Sequence, residues 1–335
     1  MIAKNPKSVS ELRFDLVSKD WVVIATSRAK RPEEFKKCPF CNLEIQEPPV
    51  LIFSHGQKIS FKPGDKIPED WTTIVIPNKY PAFRPSRDLA ECSEGDLYKR
   101  MNAVGFHELV VTRSHERQLA QLSTEEIKEV FDVYQLRYLA LMKEKFVNYI
   151  SIFHNHGREA GASVNHSHSQ IITTPLIDID LKKALANAQE YQKIHQQCAY
   201  CLMNDWERKV KERIIFENQE FLAVCPFTSK TAFEIVISPK KHLSYFEKIT
   251  EEEKKQLAEI LKISLSALSK AQNDPPYNFY LHTAPCDRQE NYDAYHWHWT
   301  VLPKINIPAG FEIGTHMEIS SIAPEKAAQI LRKNI

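Results

Sequence analysis

The chain has 335 residues, of which 43% are hydrophobic, and its 44 basic residues nearly balance its 43 acidic ones. This length exceeds what one compact core usually holds, so we expect two domains. The balanced charge argues against a protein that mainly binds nucleic acid or an anionic membrane, and it favours a small-molecule substrate. No apolar run reaches the roughly 20 residues that cross a bilayer, and no signal-peptide core follows Met1, so we expect a cytoplasmic location.

The first half of the chain predicts a series of strands and one long helix. Stretches rich in β-branched and aromatic residues predict a hairpin over 12–26 and strands over 71–76, 107–112 and 148–153. Two segments rich in turn-forming or charged residues predict loops, 84–103 and 47–70, the latter a long loop or a weak hairpin. A Ser/Thr cap with an acidic first turn at 122–126, followed by apolar residues at helical spacing to Leu141, predicts an amphipathic helix.

A predicted strand that ends at Pro175 carries three polar side chains at alternate positions, His166, His168 and Gln170. Side chains alternate along a strand, so these three point to one face and the intervening serines to the other. The preceding turn contains Gly157 and Gly161, in a chain that has only eight glycines. Small residues let the backbone approach a ligand closely and offer N–H groups to an anion. The strand and its turn are therefore the leading candidate site.

The second half of the chain repeats the first. The matching features, in chain order, are the Cys-x-x-Cys pairs Cys38/Cys41 and Cys198/Cys201, the strands 73–77 and 221–226, the strands 107–111 and 233–237, the histidines His115 and His242, two long helices, and the histidine strands 166–175 and 296–303. A series of this kind predicts two copies of one α+β unit. We therefore divide the chain into 1–176 and 177–335.

Each copy offers two thiols and two imidazoles, the donor set of a closed tetrahedral zinc site. The first set is Cys38, Cys41, His115 and His166, and the second is Cys198, Cys201, His242 and His296, with His298 as the alternative to His296. Free thiols in a turn, or a redox pair, are the alternatives to metal, although a thioredoxin-like pair lacks the βαβ surroundings it needs. We predict one or two zinc ions per subunit, with zinc or another metal at the second site.

If His166 binds the metal, His168 is left on the same face for chemistry. A neutral imidazole is a competent nucleophile toward phosphorus, and fixed donors around the phosphoryl oxygens stabilise the transition state. Ser163 and Gln170 are the donors at hand. The alternative is that His168 is a second metal ligand. Covalent catalysis by His168 predicts a reaction in two halves, in which one substrate leaves a fragment on the enzyme and a second removes it.

Six short motifs occur together in this chain: Arg28-Ala29-Lys30-Arg31-Pro32, Cys38-Pro39-Phe40-Cys41, Phe153-x-Asn155-x-Gly157, Gly161-x-Ser163, His166-x-His168-x-Gln170 and the terminal segment 310–315. In combination they resemble the galactose-1-phosphate uridylyltransferase family, the nucleotidyltransferase branch of the histidine-triad superfamily. The resemblance implies two similar α+β domains of the histidine-triad type that form an open antiparallel sheet with long helices. It also implies a homodimer with the active site near the subunit interface.

The resemblance further implies a reaction and assigns roles to residues. His168 would attack the α-phosphorus of UDP-glucose, release glucose 1-phosphate, and hold UMP until galactose 1-phosphate accepts it. Gln170 and Ser163 would contact the phosphoryl oxygens. The remaining expected positions are those around the nucleoside, Arg28, Arg31, Phe40, Asn78, Phe153 and Asn155; those near the acceptor sugar, Phe311 and Gly314; and the zinc ligands Cys38, Cys41, His115 and His166.

The chain departs from the family pattern in two places. Residues 166–170 read His-Ser-His-Ser-Gln, where His-Pro-His-Gly-Gln is commoner, and this form also resembles the ADP-glucose phosphorylases, which transfer AMP with phosphate as acceptor. The segment 316–320 replaces the usual sequence beside the acceptor sugar. The sequence therefore allows either uracil or adenine as the base and more than one acceptor. It also allows a hydrolase, which would pass the nucleotide to water. A nucleic-acid-binding zinc protein is disfavoured by the balanced charge and by the lack of a predicted basic helix after either Cys pair.

Overall fold

The structure is a computed structural model that describes residues 10–30, 32, 37–62, 64–95, 97–288 and 290–335. Within these residues the strands are β1 (Glu11–Phe14), β2 (Trp21–Ile24), β3 (Leu51–Ser54), β4 (Gln57–Ile59), β5 (Thr73–Pro77), β6 (Cys92–Glu94), β7 (Tyr98–Asn102), β8 (His107–Thr112), β9 (Tyr149–His156), β10 (His168–Thr174), β11 (Ile214–Glu217), β12 (Phe221–Val224), β13 (Ile235–Pro239), β14 (Tyr277–His282) and β15 (His298–Pro303). The α-helices are α1 (Thr124–Leu141), α2 (Ile179–His195), α3 (Ala199–Val210), α4 (Glu251–Gln272), α5 (Gly310–Thr315) and α6 (Pro324–Arg332).

One long antiparallel sheet runs through both halves of the chain. Its strand order is β11-β12-β13-β15-β14-β9-β10-β8-β5-β3-β4, and the halves meet where β14 pairs with β9 in the register Asn278↔Asn155. Each half has the same order outward from this seam, because β9, β10, β8 and β5 match β14, β15, β13 and β12. The predicted α+β class, with two repeated units, an antiparallel sheet and long helices, is confirmed.

Hydrogen bonds fix which residues of the two halves are equivalent. His166 Nε2 lies 2.7 Å from the carbonyl oxygen of Thr112, and His296 Nε2 lies 2.9 Å from that of Pro239. Because Thr112 therefore corresponds to Pro239, the match of 107–111 with 233–237 is wrong by one residue, and the counterpart of His107 is Glu234. Each strand has three consecutive apolar residues at its centre or start, Leu109 to Val111 and Ile235 to Ile237, so these runs alone allow either register.

Helices α1 and α4 cover one face of the sheet. Each begins with a capping box, in which the hydroxyl of Ser123 or Thr250 accepts from the backbone of the residue three positions on, as predicted for α1. Tyr134 of α1 donates a hydrogen bond of 2.5 Å to Ser169 Oγ. Ser169 therefore points to the helices, and His168 and Gln170 point to the opposite face. Among the described helices, none is long and apolar enough to cross a bilayer.

Two regions differ from the sequence-based expectation. Residues 84–103, predicted as a loop, contain β6 and β7, which join the N-terminal hairpin in a four-stranded sheet of order β2-β1-β7-β6. Strand β6 is exposed along its length, so it lacks the apolar alternation that identifies a strand. In the second half, α3 begins directly after Cys198. This helix carries Asp205 and Glu207 beside Arg208 and Lys209, so it is not the basic helix of a nucleic-acid-binding module.

Candidate active site and metal clusters

The four residues of the first predicted metal site come together in space. The ligand atoms of Cys38, Cys41, His115 and His166 all lie within 4.8 Å of one another. Cys41 Sγ is 3.3 Å from Nδ1 of His115 and 3.5 Å from Nδ1 of His166. His166 Nε2 donates to the carbonyl oxygen of Thr112, which leaves Nδ1 facing the thiols. Burial lowers the pKa of His166, which keeps this imidazole neutral at pH 7, as a metal ligand must be.

The second cluster repeats this arrangement and contains His296. The ligand atoms of Cys198, Cys201, His242 and His296 also lie within 4.8 Å of one another. Cys201 Sγ is 3.4 Å from Nδ1 of His242 and 3.5 Å from Nδ1 of His296. His298 lies instead against His282, with 4.8 Å between the ring centroids. The geometry therefore brings His296, rather than His298, to the second pair of thiols.

His168 lies beside the first cluster but borders a different space. Its Nδ1 donates to the carbonyl oxygen of His166 at 2.8 Å, so Nε2 is the ring nitrogen that carries the lone pair. The ring of Phe40 lies 4.8 Å from the imidazole, measured between centroids. His168 is 6% exposed, at a cavity of about 80 Å³. The residues that line this cavity are Pro39, Phe40, Ile45, Gln46, Asn78, Lys79, Tyr80, Leu109, Val164, His168 and Gln170.

Gln170 and Asn78 meet at His107, a buried histidine that the sequence analysis did not single out. Oε1 of Gln170 lies 2.9 Å from Nε2 of His107, and Nδ2 of Asn78 lies 3.0 Å from the same nitrogen. The backbone N–H of Ala82 donates to Nδ1 of His107 at 3.1 Å. The only signal in the sequence was a histidine at the start of a strand that continues with Glu108 and three apolar residues. Such a residue is usually a polar group satisfied locally, so it does not by itself indicate function.

Ser163 lies in a turn whose backbone requires glycine at two positions. Gly157 and Gly161 have φ angles of +80° and +90°, the left-handed region that side chains disfavour. A Cβ at Gly157 would also meet Cβ of Pro276 at 2.8 Å. The turn borders a cavity of about 730 Å³, and Ser163 Oγ is buried there with no hydrogen-bond partner among the described residues. It thus presents a hydroxyl donor beside the first metal cluster.

Phe153 and Asn155 lie on the same sheet face as Gln170, because Phe153 is paired with Gln170 across β9 and β10. They line a third cavity, of about 600 Å³, which includes His298 from the second half. Oδ1 of Asn155 accepts a hydrogen bond of 3.0 Å from Nδ2 of Asn278. These two residues therefore lie near His168 along the sheet, at the seam between the halves.

The other predicted residues lie at the edge of this region or away from it. Nη1 of Arg28 donates to the carbonyl oxygen of Tyr80 at 3.1 Å, and Tyr80 lines the cavity at His168. Arg31 lies outside the described residues. Phe311 and Gly314 are part of α5, and Phe311 is 51% exposed. Within the described part of the chain, the structure does not bring these two residues to the cavity at His168.

The chain matches one known family along nearly its whole length. Residues 2–178 match the profile of the galactose-1-phosphate uridyl transferase N-terminal domain. Residues 184–334 match the profile of the galactose-1-phosphate uridyl transferase C-terminal domain. The two profiles follow one another in the order of the two halves seen in the fold.

Individual relatives are similar over the same extent. An ADP-glucose phosphorylase of Arabidopsis thaliana is 34% identical over 341 residues, covering 96% of this chain and 92% of the relative. A galactose-1-phosphate uridylyltransferase of Thermotoga maritima is 27% identical over 333 residues, covering 96% and 98%. The crystal structure of an Arabidopsis thaliana ADP-glucose phosphorylase with bound ADP-glucose has a TM-score of 0.75 at 33% identity, over 97% of this chain and 99% of that one. A solved uridylyltransferase structure has a TM-score of 0.79 at 27% identity, over 97% and 98%. This protein, which matches both domains in order and shares the fold, belongs to the galactose-1-phosphate uridylyltransferase family.

Proposed function

We propose that the chain is a nucleotidyltransferase of the UDP-glucose:hexose-1-phosphate uridylyltransferase type. It exchanges UMP between UDP-glucose and galactose 1-phosphate through a uridylyl-His168 intermediate. The observation that carries the proposal is the imidazole of His168, which is fixed through Nδ1 to the His166 carbonyl and borders a cavity with Phe40, Asn78 and Gln170. Membership of the family supports the reaction class.

In the first half-reaction, Nε2 of His168 attacks the α-phosphorus of UDP-glucose. The bond from that phosphorus to the bridging oxygen breaks, and glucose 1-phosphate leaves with the electron pair. The His166 carbonyl stabilises the proton that stays on Nδ1 as the ring gains positive charge. Ser163 Oγ and the Gln170 amide donate to the phosphoryl oxygens, which carry the negative charge of the transition state.

In the second half-reaction, a phosphate oxygen of the hexose 1-phosphate attacks the same phosphorus, and the bond to Nε2 breaks. His168 returns to its neutral form, and UDP-hexose leaves. The first sugar phosphate must depart before the acceptor can reach the phosphorus, so the kinetics are ping-pong. The nucleoside is held by Arg28, Arg31, Phe40, Asn78, Phe153 and Asn155, and the acceptor sugar by Phe311 and Gly314.

We also propose zinc as the ion of the first cluster. Tetrahedral zinc, with Zn–S of about 2.3 Å and Zn–N of about 2.0 Å, separates its sulfur and nitrogen ligands by about 3.5 Å. The S···N distances in the structure are 3.3 and 3.5 Å at Cys41 and 3.4 and 3.5 Å at Cys201. When bound, zinc would tie each Cys pair to its histidine strand and contribute folding free energy. The second cluster takes zinc or another metal, giving one or two ions per subunit.

A second candidate function is the reaction of the ADP-glucose phosphorylases, in which AMP is transferred to phosphate. The observation that favours it is the 34% identity to such an enzyme over 96% of this chain. The chemistry at His168 is the same in both candidates, and only the base and the acceptor differ. A hydrolase of the same superfamily would also form the intermediate and would pass the nucleotide to water.

Incubation with UDP-glucose or ADP-glucose, each labelled at the α-phosphorus, tests these candidates without an acceptor. An acid-labile label from UDP-glucose supports the uridylyltransferase, and label from ADP-glucose alone supports the second candidate. Label on neither, or label that persists in His168→Ala, contradicts the mechanism. Adding galactose 1-phosphate, inorganic phosphate or buffer alone to the labelled protein, and identifying the released nucleotide, then separates transferase, phosphorylase and hydrolase.

The proposed partners follow from the same chemistry. They are UDP-glucose or ADP-glucose and a hexose 1-phosphate, with no nucleic acid and no membrane, in a cytoplasmic homodimer. The formal net charge of +1 supports a small-molecule partner rather than a polyanion. Sedimentation velocity tests the dimer, and a monomer at micromolar concentration would contradict it.

A further inference from the structure

His107 lies at the start of β8, on the sheet face that carries the site. Gln170 is paired with Leu109 across β8 and β10, and His107 is two positions from Leu109, so the side chains of His107 and Gln170 share a face. His107 is 5% exposed. Its ring nitrogens contact, among other groups, the Ala82 backbone, the Gln170 amide and the Asn78 amide.

The contact with Ala82 determines which ring nitrogen of His107 carries the proton. The N–H of Ala82 donates to Nδ1 at 3.1 Å, so Nδ1 carries a lone pair. A neutral imidazole has one N–H, which must therefore be on Nε2. This N–H donates to Oε1 of Gln170, 2.9 Å away. The reverse orientation of the Gln170 amide would place its NH₂ against another N–H, and is disfavoured.

We propose that His107 is a positioning residue that sets the polarity of the Gln170 amide for nucleotidyl transfer, a role that rests on the function proposed for His168. With Oε1 held by His107, the NH₂ of Gln170 is directed at the cavity it shares with His168. A nucleotidyl group on His168 presents acceptor oxygens there. A donor that is already oriented stabilises these oxygens without reorganising during the reaction.

Asn78 lies beside the same imidazole but is oriented by the backbone of Tyr80. Its Oδ1 accepts a hydrogen bond of 2.8 Å from the N–H of Tyr80, and its Nδ2 lies 3.0 Å from Nε2 of His107. Because the protonated Nε2 cannot accept a hydrogen bond, the Asn78 NH₂ is left for an acceptor in the cavity. The imidazole of His107 thus orients the Gln170 amide on the phosphoryl side, whereas the Tyr80 backbone orients the Asn78 amide on the nucleoside side.

The second half of the chain retains a histidine in the place of His168 but lacks this arrangement. His298 is the counterpart of His168, and Glu234 and Thr300 are the counterparts of His107 and Gln170. Thr300 has no amide to orient, and Glu234 has no imidazole proton to donate. The pair of His107 and Gln170 is therefore specific to the half that carries the proposed nucleophile.

Single-turnover nucleotidylation by variants tests the role of His107. His107→Leu should lower the rate about 10- to 100-fold with less than about a threefold change in KM for the sugar nucleotide. His107→Gln, whose amide nitrogen falls near the position of Nε2, should recover most of the rate. His107→Asn is the matched control, because its amide reaches Ala82 but not Gln170, and it should behave like His107→Leu. In a Gln170→Met background, His107→Leu should cause no further loss.

Three outcomes would overturn the proposal. The first is that His107→Leu lowers the nucleotidylation rate as much in the Gln170→Met background as in the wild type. The second is that His107→Gln and His107→Asn have equal rates. The third is that the rates across the series follow metal content or melting temperature. Retained exchange in His168→Ala would instead defeat the function itself. A failure confined to the His107 variants leaves that function standing.

Discussion

Each half of the molecule places a histidine strand beside a cluster of two cysteines and two histidines. Nδ1 of His168 and of His298 both contact the carbonyl oxygen two residues earlier, at 2.8 and 3.2 Å. An aromatic residue from the Cys-x-x-Cys segment lies against each imidazole, Phe40 at 4.8 Å and Tyr200 at 5.6 Å between centroids. The orientation of the histidine side chain is therefore a property of the repeated fold.

The halves differ in what surrounds that histidine. Beside His168 lie Gln170 and His107, whereas the corresponding positions beside His298 are Thr300 and Glu234. Burial lowers the pKa of His298 to about 3, so this imidazole is neutral but has no amide donor for a phosphoryl oxygen at the position of Gln170. The comparison shows that the repeated fold orients a histidine in both halves, whereas an amide donor beside that histidine is found in the first half only among the described residues. If His168 is the nucleophile, as proposed, we expect this donor to distinguish the catalytic half from the other.

The largest expected effect is on the exchange rate, and it should distinguish His168 from its counterpart His298. His168→Ala should lower the exchange of glucose 1-phosphate into UDP-glucose by about 10⁴-fold or more, because the covalent route is lost. His298→Ala, at the equivalent place in the other half, should change the rate by less than about threefold. Isotope exchange measures both variants, and comparable losses would break the comparison.

Substitution of the histidine ligand should have the same effect on metal content in both halves. His166→Ala and His296→Ala should each release the metal of their own cluster and lower the free energy of unfolding by on the order of 4 kcal/mol, as losses of a structural metal do. His168→Ala should keep the full metal content. Elemental analysis and urea unfolding measure these effects. Equal metal loss from the His166 and His168 variants would refute the separation of ligand from nucleophile.

A partly buried ion pair marks a further difference between the halves. Glu108 accepts two hydrogen bonds from Arg137, at 2.6 and 2.8 Å, and the corresponding residues are Ile235 and Ser264. Glu108→Ile should cost about 2 kcal/mol because Arg137, which is mostly shielded from solvent, loses its partner. The double variant Glu108→Ile/Arg137→Ser, which copies the second half, should cost clearly less in urea unfolding. A double variant at least as unstable as the single one would contradict this account.

The smallest effect should again be shared by both halves. Ser123→Ala and Thr250→Ala remove the side-chain acceptor at the start of α1 and of α4. Each should lower the free energy of unfolding by about 1 kcal/mol. Thermal or urea unfolding measures the free energy of unfolding of the two variants. Losses that differ severalfold would show that the two long helices contribute unequally to stability.

The sequence predicted those parts of the candidate site whose structure depends on residues close together in the chain. The Cys-x-x-Cys pairs, the alternating His166 and His168, and the capped helices each depend on neighbouring residues, and the order of these parts revealed the repeat. The contact of His107 with Gln170 depends on the register of two strands far apart in the chain, and apolar strands do not specify their register by sequence. The same limit produced the one-residue error in matching β8 with β13.

The pairing of β9 with β14 suggests a route by which a chain with two repeated halves can arise. Each half alone would leave one of these strands unpaired, as a template for pairing with another copy. Since equivalent strands meet at the seam, a single ancestral half would close its sheet by pairing with a second identical copy. Duplication and fusion of its gene turn that contact between molecules into one within a chain. Two histidine sites within one chain can then differ in sequence, as Gln170 beside His168 and Thr300 beside His298 do.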